Sequence, residues 1–236
     1  MKKLITLILG IAFVYGCSSN NSNNSDSNNN SVTSVSDVDG NSYNVVTICN
    51  QTWMKSNLNV LHYRNGDIIP QVTNPLQWAS LTTGAWCYYK NNESNGPIYG
   101  KLYNWFAIND PRGLAPIGWH IPSRAEVVGM IDCLGGYQLA GGKMKTTGLS
   151  QWASPNLGAT NSSEFNGLPS GGINSTIPGS TTPAAGFSFE GYYGNWWTSS
   201  FDGTYATEFV IFYNYSLINT TWTSPTSGFS VRCIKN

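Results

Sequence analysis

Between Tyr99 and Gly136 the stretch YGKLYNWFAINDPRGLAPIGWHIPSRAEVVGMIDCLGG carries more local constraint than any other part of the chain. Pro97 stands just ahead of it, where the first turn of a helix does not need the missing N–H. Tyr99, Leu102, Tyr103, Phe106 and Ala107 follow at helical spacing. Asp110-Pro111 stops that pattern, because a residue before proline is driven out of the helical region. The spacing predicts a first helix over 97–110. A second opens at Ser123, with Glu126 three positions on, the signature of a capping box in which side chain and backbone satisfy each other's orphan groups. Val127, Ile131 and Leu134 give it an apolar face, and Gly135 is placed to end it. Between the two, Pro111, Pro116 and Pro122 stiffen a loop around Trp119 and His120, with Trp119 as its expected anchor.

The chain in front of this hub divides into segments. Lys2-Lys3 precede an apolar run from Leu4 to Val14, which is far short of the roughly 20 residues a membrane span needs and fits a signal peptide. The run ends Val14-Tyr15-Gly16-Cys17, which resembles the lipobox of bacterial lipoproteins, where the cysteine is lipidated and becomes the mature N-terminus. Tyr15 departs from the small residue usual there, so an ordinary cleaved signal is the alternative. Ser18 to Ser31 contains only Ser, Asn and one Asp, with nothing apolar to bury, and reads as a flexible tether. The expected organisation is a leader over 1–17, a tether over 18–34 and one domain over 35–236. Formal net charge is zero and charged residues make up 10%, so no basic field attracts nucleic acid.

Within the domain the pattern is β on both sides of the hub. Tyr43 to Ile48, Thr52 to Met54 and Trp86 to Tyr89 read as early strands. Asn195 to Ser199, Thr207 to Tyr215 and Gly228 to Ile234 read as late ones. The middle late strand is apolar on both faces, which suggests a central position. In the last, Phe229, Val231 and Cys233 alternate with Ser230 and Arg232, the pattern of a half-buried strand. From Gly136 to Gly186 periodicity is lost, and ordered loops anchored by Trp152, Phe165 and Leu168 are expected.

Several of these stretches resemble one known family. They are Asp39-Gly40-Asn41, Gln51-Thr52-Trp53-Met54, Trp86-Cys87-Tyr88-Tyr89 and Gly100-Lys101-Leu102-Tyr103-Asn104-Trp105. Gly113-Leu114-Ala115-Pro116, Gly118-Trp119-His120-Ile121-Pro122-Ser123, Ala140-Gly141-Gly142-Lys143-Met144-Lys145 and Gly228-Phe229-Ser230-Val231-Arg232-Cys233 complete the set. Together they are similar to the Fibrobacter succinogenes major paralogous domain of bacterial surface lipoproteins, from about Val35 to the C-terminus. The resemblance implies an α+β, C-type-lectin-like fold, two helices packed on small antiparallel sheets with long ordered loops. It implies no particular activity. Cys49 departs from the family pattern, which has glycine there, and a Cβ disfavours the positive φ a glycine turn uses. With Cys17 set aside, four of the five cysteines remain. A Cys87–Cys233 disulfide is expected, since both lie on inferred strands and match the family. Cys49 and Cys133 either pair with each other or stay free.

Candidate chemistry is sparse. His62 and His120 are the only histidines, and no Ser or Cys arrangement near His120 supports nucleophilic catalysis. His120 is expected to bond loop carbonyls. Glu164, Glu190, Asp202 and Glu208 are too widely spaced for a calcium loop, and the cysteines lack zinc spacing, so no cofactor or metal is expected. Aromatic residues are 13% of the chain and cluster late. Tyr192 and Tyr193 lie between Gly191 and Gly194, where a loop tip is expected, and alternation along the next strand is expected to bury one of Trp196 and Trp197 and expose the other. Tyr192, Tyr193, Asn195 and one of those two tryptophans form the expected ligand face. The sequence thus points to a lipid-anchored protein of the outer membrane or cell surface, acting without catalysis as a binding or adhesion module. Its expected partners are the membrane, through the anchor, and a polysaccharide or surface protein. The alternatives are a structural surface component, or an enzyme of the formylglycine-generating type.

Overall fold

A computed structural model describes residues 33–174 and 185–236. The leader, Cys17 and all but the end of the tether lie outside the described residues. Among the described residues no helix is long and apolar enough to cross a membrane.

The chain opens with β1 (Ser34–Ser36), β2 (Ser42–Ile48) and β3 (Gln51–Met54). Then come α1 (Pro75–Ala79), β4 (Trp86–Cys87), α2 (Gly96–Tyr99), β5 (Leu102–Asn104) and α3 (Trp105–Ile108). β6 (Trp119–His120), α4 (Arg124–Cys133) and α5 (Ala140–Met144) follow. The late strands are β7 (Ser170–Asn174), β8 (Gly186–Glu190), β9 (Tyr193–Phe201), β10 (Ala206–Phe212), β11 (Ile218–Thr223), β12 (Gly228–Phe229) and β13 (Ile234–Lys235). One sheet has the order β1-β2-β3-β13-β6. The other runs β11-β10-β9-β7-β12-β5-β4, with β8 added on β7.

The architecture is therefore mostly β, and the expected C-type-lectin-like α+β fold with two helices is corrected. The second helix forms as its local signals dictate. Ser123 Oγ accepts from Glu126 N at 3.3 Å, and Glu126 Oε2 accepts from Ser123 N at 2.7 Å, closing the capping box. Gly135, at φ +100°, ends α4, and Gly136 N reaches back to Ile131 O at 2.9 Å. The first helix does not form as one element. Gly100 turns the chain at φ +72°, and a Cβ there would sit 2.6 Å from Leu58 O. Leu102–Asn104 is then drawn into a strand between β4 and β12. Asn104 restarts a single turn by accepting from Ala107 N at 3.1 Å. Helical spacing was real over the whole stretch, but pairing with distant strands overrode it.

The last strand is also split. β12 belongs to the larger sheet and β13 to the smaller, and Ser230 to Cys233 cross between them entirely buried. The alternating polar residues face no solvent: Ser230 Oγ bonds Ser170 Oγ at 2.9 Å, and Arg232 is enclosed. The loops after Gly136 are anchored where aromatic residues suggested, by fully buried Trp152 and Phe165, while Leu168 is half-buried.

The expected Cys87–Cys233 bridge is corrected, and of the two outcomes left open for Cys49 and Cys133 the structure has them paired, with Cα atoms 6.6 Å apart. Cys87 and Cys233 are buried thiols in different parts of the core. Cys87 packs with Val72, Trp78 and Ile173, and Cys233 with Tyr43, Met54 and Tyr103. Burial pushes both thiols well above their ordinary range. Cys49 holds φ +58°, so the glycine-type turn survives with a side chain in it.

Candidate functional site

Five charged side chains are buried among the described residues: Asp37, Lys101, Lys145, Glu208 and Arg232. Four have their polar partners inside the protein. Asp37 accepts from Tyr43 OH at 2.6 Å, from Asn41 Nδ2 at 2.8 Å, and from two backbone N–H groups. Lys101 Nζ donates to Asn59 O and Oδ1 at 2.6 and 2.7 Å, and lies 4.8 Å from the Trp86 ring centroid. Lys145 Nζ donates to the carbonyls of Leu157, Phe212 and Tyr215 at 2.8 to 2.9 Å. Arg232 donates to Asn57 Oδ1 and Phe165 O, with its guanidinium 4.1 Å from the Phe165 ring centroid. Desolvation lowers both lysines to about 8. These groups stitch loops to strands and leave nothing to offer a ligand.

Glu208 is different. Its residue is 7% exposed, and Oε2 has no hydrogen-bond partner among the described residues. Burial, the one cause acting on it, pushes the carboxyl up to about 8, so it is mostly protonated at neutral pH. The strand register fixes its surroundings. Glu208 pairs Trp197 on one side and Thr221 on the other. One step along the same face, Val210 lies between Asn195 and Asn219, and beyond it Phe212 faces Tyr193. The ladder slips between Ala206 and Glu208, next to the carboxyl, and such irregularities re-aim side chains.

This face lines a half-open cavity of about 270 Å³. Phe189 and Tyr193 stack at 4.4 Å on its wall, and Phe212 meets Tyr193 edge-on at 5.0 Å. Phe189 holds φ +70° within β8, a left-handed conformation that a bulky residue adopts only at a cost. Asn174, Asn195 and Asn219 add amides. Gly172 leaves the floor open to Phe229, since a Cβ there would lie 2.5 Å from the Phe229 ring.

The cavity brings together two of the residues expected at the ligand face, Tyr193 and Asn195. Tyr192 is 48% exposed but stands outside the cavity, its ring edge-on to Tyr213 at 5.0 Å. The expectation for Trp196 and Trp197 is corrected, because both are fully buried. Alternation does send them to opposite faces, yet β9 has core on each. Trp196 stacks on Phe209 at 5.3 Å and donates to Asn57 Oδ1 at 2.8 Å. Trp197 packs on Phe229 at 4.8 Å and donates to Tyr103 O at 2.7 Å. Glu208, Phe189, Phe212, Asn174 and Asn219 were missed as site members. The available signal was Glu208 itself, a lone carboxylate in a strand apolar on both faces.

Elsewhere, His120 bonds Glu126 Oε1 at 2.9 Å and Asn236 Oδ1 at 2.7 Å, side chains rather than the expected loop carbonyls. Among the described residues no group of three or more His, Cys, Asp or Glu is arranged to hold a metal.

The signature of the Fibrobacter succinogenes major domain matches residues 46–235, and the chain belongs to that family. No curated protein and no solved structure matches it significantly. The family-like stretches carry Lys101, Lys145 and Arg232, the internally satisfied cations, whereas Glu208 lies outside them.

Proposed function

We propose that this member of the Fibrobacter succinogenes major domain family is a lipid-anchored surface protein that binds carbohydrate without catalysis, through the cavity on β7 to β11. The observation that supports this reading is the cavity wall itself. Stacked Phe189 and Tyr193 rings and the edge of Phe212 offer flat apolar surface, and amides of Asn174, Asn195 and Asn219 stand beside them. A sugar presents the same two chemistries, C–H faces for rings and hydroxyls for amides. Ligand sites are concave, mostly apolar and carry a few placed polar groups. The volume favours one sugar unit over a long chain.

A glycan array probed with wild type, Tyr193→Ala and Asn195→Ala tests the site. Carbohydrate binding by wild type and its loss in both folded variants is the expected outcome. Binding that neither substitution weakens would place the contact surface elsewhere, and no binding to any glycan would favour a purely structural surface component. The anchor is tested separately. Cys17→Ser should release the protein from membranes or block its maturation, and normal processing with retained membrane attachment would overturn lipidation.

A further inference from the structure

Resting on that reading, we infer that the cavity takes a sugar unit with a free amine, its ammonium paired with the Glu208 carboxyl that lines it. A buried carboxyl lacking a partner is costly, and in a native protein it asks for an explanation. None of the other buried charges serves it, because each is occupied by its own acceptors or donors. The residues paired with Glu208 across the sheet, Trp197 and Thr221, are both uncharged.

The donor set decides which cation suits. Calcium takes six to eight oxygen ligands with several carboxylates. Here one carboxyl stands among aromatic rings and amides. An ammonium needs one carboxylate and is further stabilised by ring faces, and Tyr193, Phe189 and Phe212 line the same wall. The amides of Asn195 and Asn219, one residue step from Glu208 on the same face, match hydroxyls next to an amine on a sugar ring. A plain sugar would bring the carboxyl no counter-charge. An N-acetylated sugar would bring no charge to it. As the ammonium arrives, the proton on Glu208 leaves to solvent and the carboxylate pairs with the cation.

The test is NMR titration of the full chain with glucosamine, glucose and N-acetylglucosamine, following Tyr193, Asn195 and the Glu208 carboxyl carbon. The expected result is about tenfold tighter binding of glucosamine than of either neutral sugar. Glu208→Gln should erase that preference, bringing glucosamine to the affinity of the neutral sugars. In wild type, the Glu208 carboxyl carbon should move to its ionised position with glucosamine and not with glucose. Equal affinities, or a preference that survives Glu208→Gln, would overturn the amine assignment and leave the cavity as a neutral sugar site. Failure of all three sugars to perturb Tyr193 and Asn195 would overturn both.

Discussion

Arg232, in the crossing between β12 and β13, and Glu208, in β10, are both buried, and their surroundings are opposite. Each guanidinium nitrogen of Arg232 has a partner, Asn57 Oδ1 or Phe165 O, and the group lies on the Phe165 ring. Among the described residues Glu208 Oε2 has no partner, and the residue lines a cavity. A buried charge whose hydrogen bonds are complete holds a fold in register. One left incomplete costs stability, and perturbed groups of this kind gather where proteins bind or react. Lys145 links the two regions. It fastens the carbonyls of Phe212 and Tyr215, so a motif cation holds the end of β10 whose Phe212 ring lines the cavity.

The contrast makes the two charges respond to removal with opposite sign. Arg232→Met strips the donor from Phe165 O and leaves Asn57 Oδ1 with Trp196 Nε1 alone, in a closed core. Denaturant unfolding should show a loss of about 3–5 kcal/mol, from charge-assisted hydrogen bonds to two acceptors at about 1.5–3 kcal/mol each. A variant as stable as wild type would break the comparison at its stronger end.

The Cys49–Cys133 bridge comes next. It closes a separation of 84 residues between the β2–β3 turn and the end of α4. Replacing both cysteines by serine should cost about 2–5 kcal/mol under oxidising conditions. Pairing Cys49→Gly with Cys133→Ser should cost about 1 kcal/mol less, because glycine takes φ +58° without strain. Equal losses for the two double variants would mean the turn relaxes once the bridge is gone.

Glu208→Gln should gain stability, and the gain should depend on pH. The folded carboxyl is raised to about 8 from 4.5, so the folded state holds its proton where the unfolded chain has lost it. Wild type therefore loses stability as pH rises from 4.5 to 8, at roughly 1.4 kcal/mol per pH unit, and neither below nor above that window. Relative to wild type, Glu208→Gln should be level at pH 4 and about 3 kcal/mol more stable at pH 7. A gain without pH dependence would assign the effect to packing.

Ser123→Ala sets the small end of the scale. It removes half of the capping box and should cost about 1 kcal/mol by thermal unfolding.

What the sequence could disclose follows from how local each signal is. α4 was legible because Ser123, Glu126 and Gly135 act within a few residues of where they stand. The stretch before it was not, because Leu102–Asn104 is a strand through partners at Trp86-Cys87 and Gly228-Phe229, remote in the chain. The same distance hid the disulfide: Cys87 and Cys233 both look like strand cysteines, and only the assembled core separates them. Alternation at Trp196 and Trp197 was read for a sheet with one wet face, and β9 has none there. Tyr193 and Asn195 were legible as neighbours of a glycine-flanked turn. Glu208 was weighed only as a metal ligand, whereas its meaning lies in what the fold withholds from it.

The most direct measurement is the titration of the Glu208 carboxyl carbon by NMR in the free, full-length protein. A midpoint near pH 8 is the expected result and would establish a buried acid without an internal partner among the described residues. A midpoint near 4.5 would show a solvated or partnered carboxylate, and would contradict the distinction between the closed body of the domain and its open late-strand face.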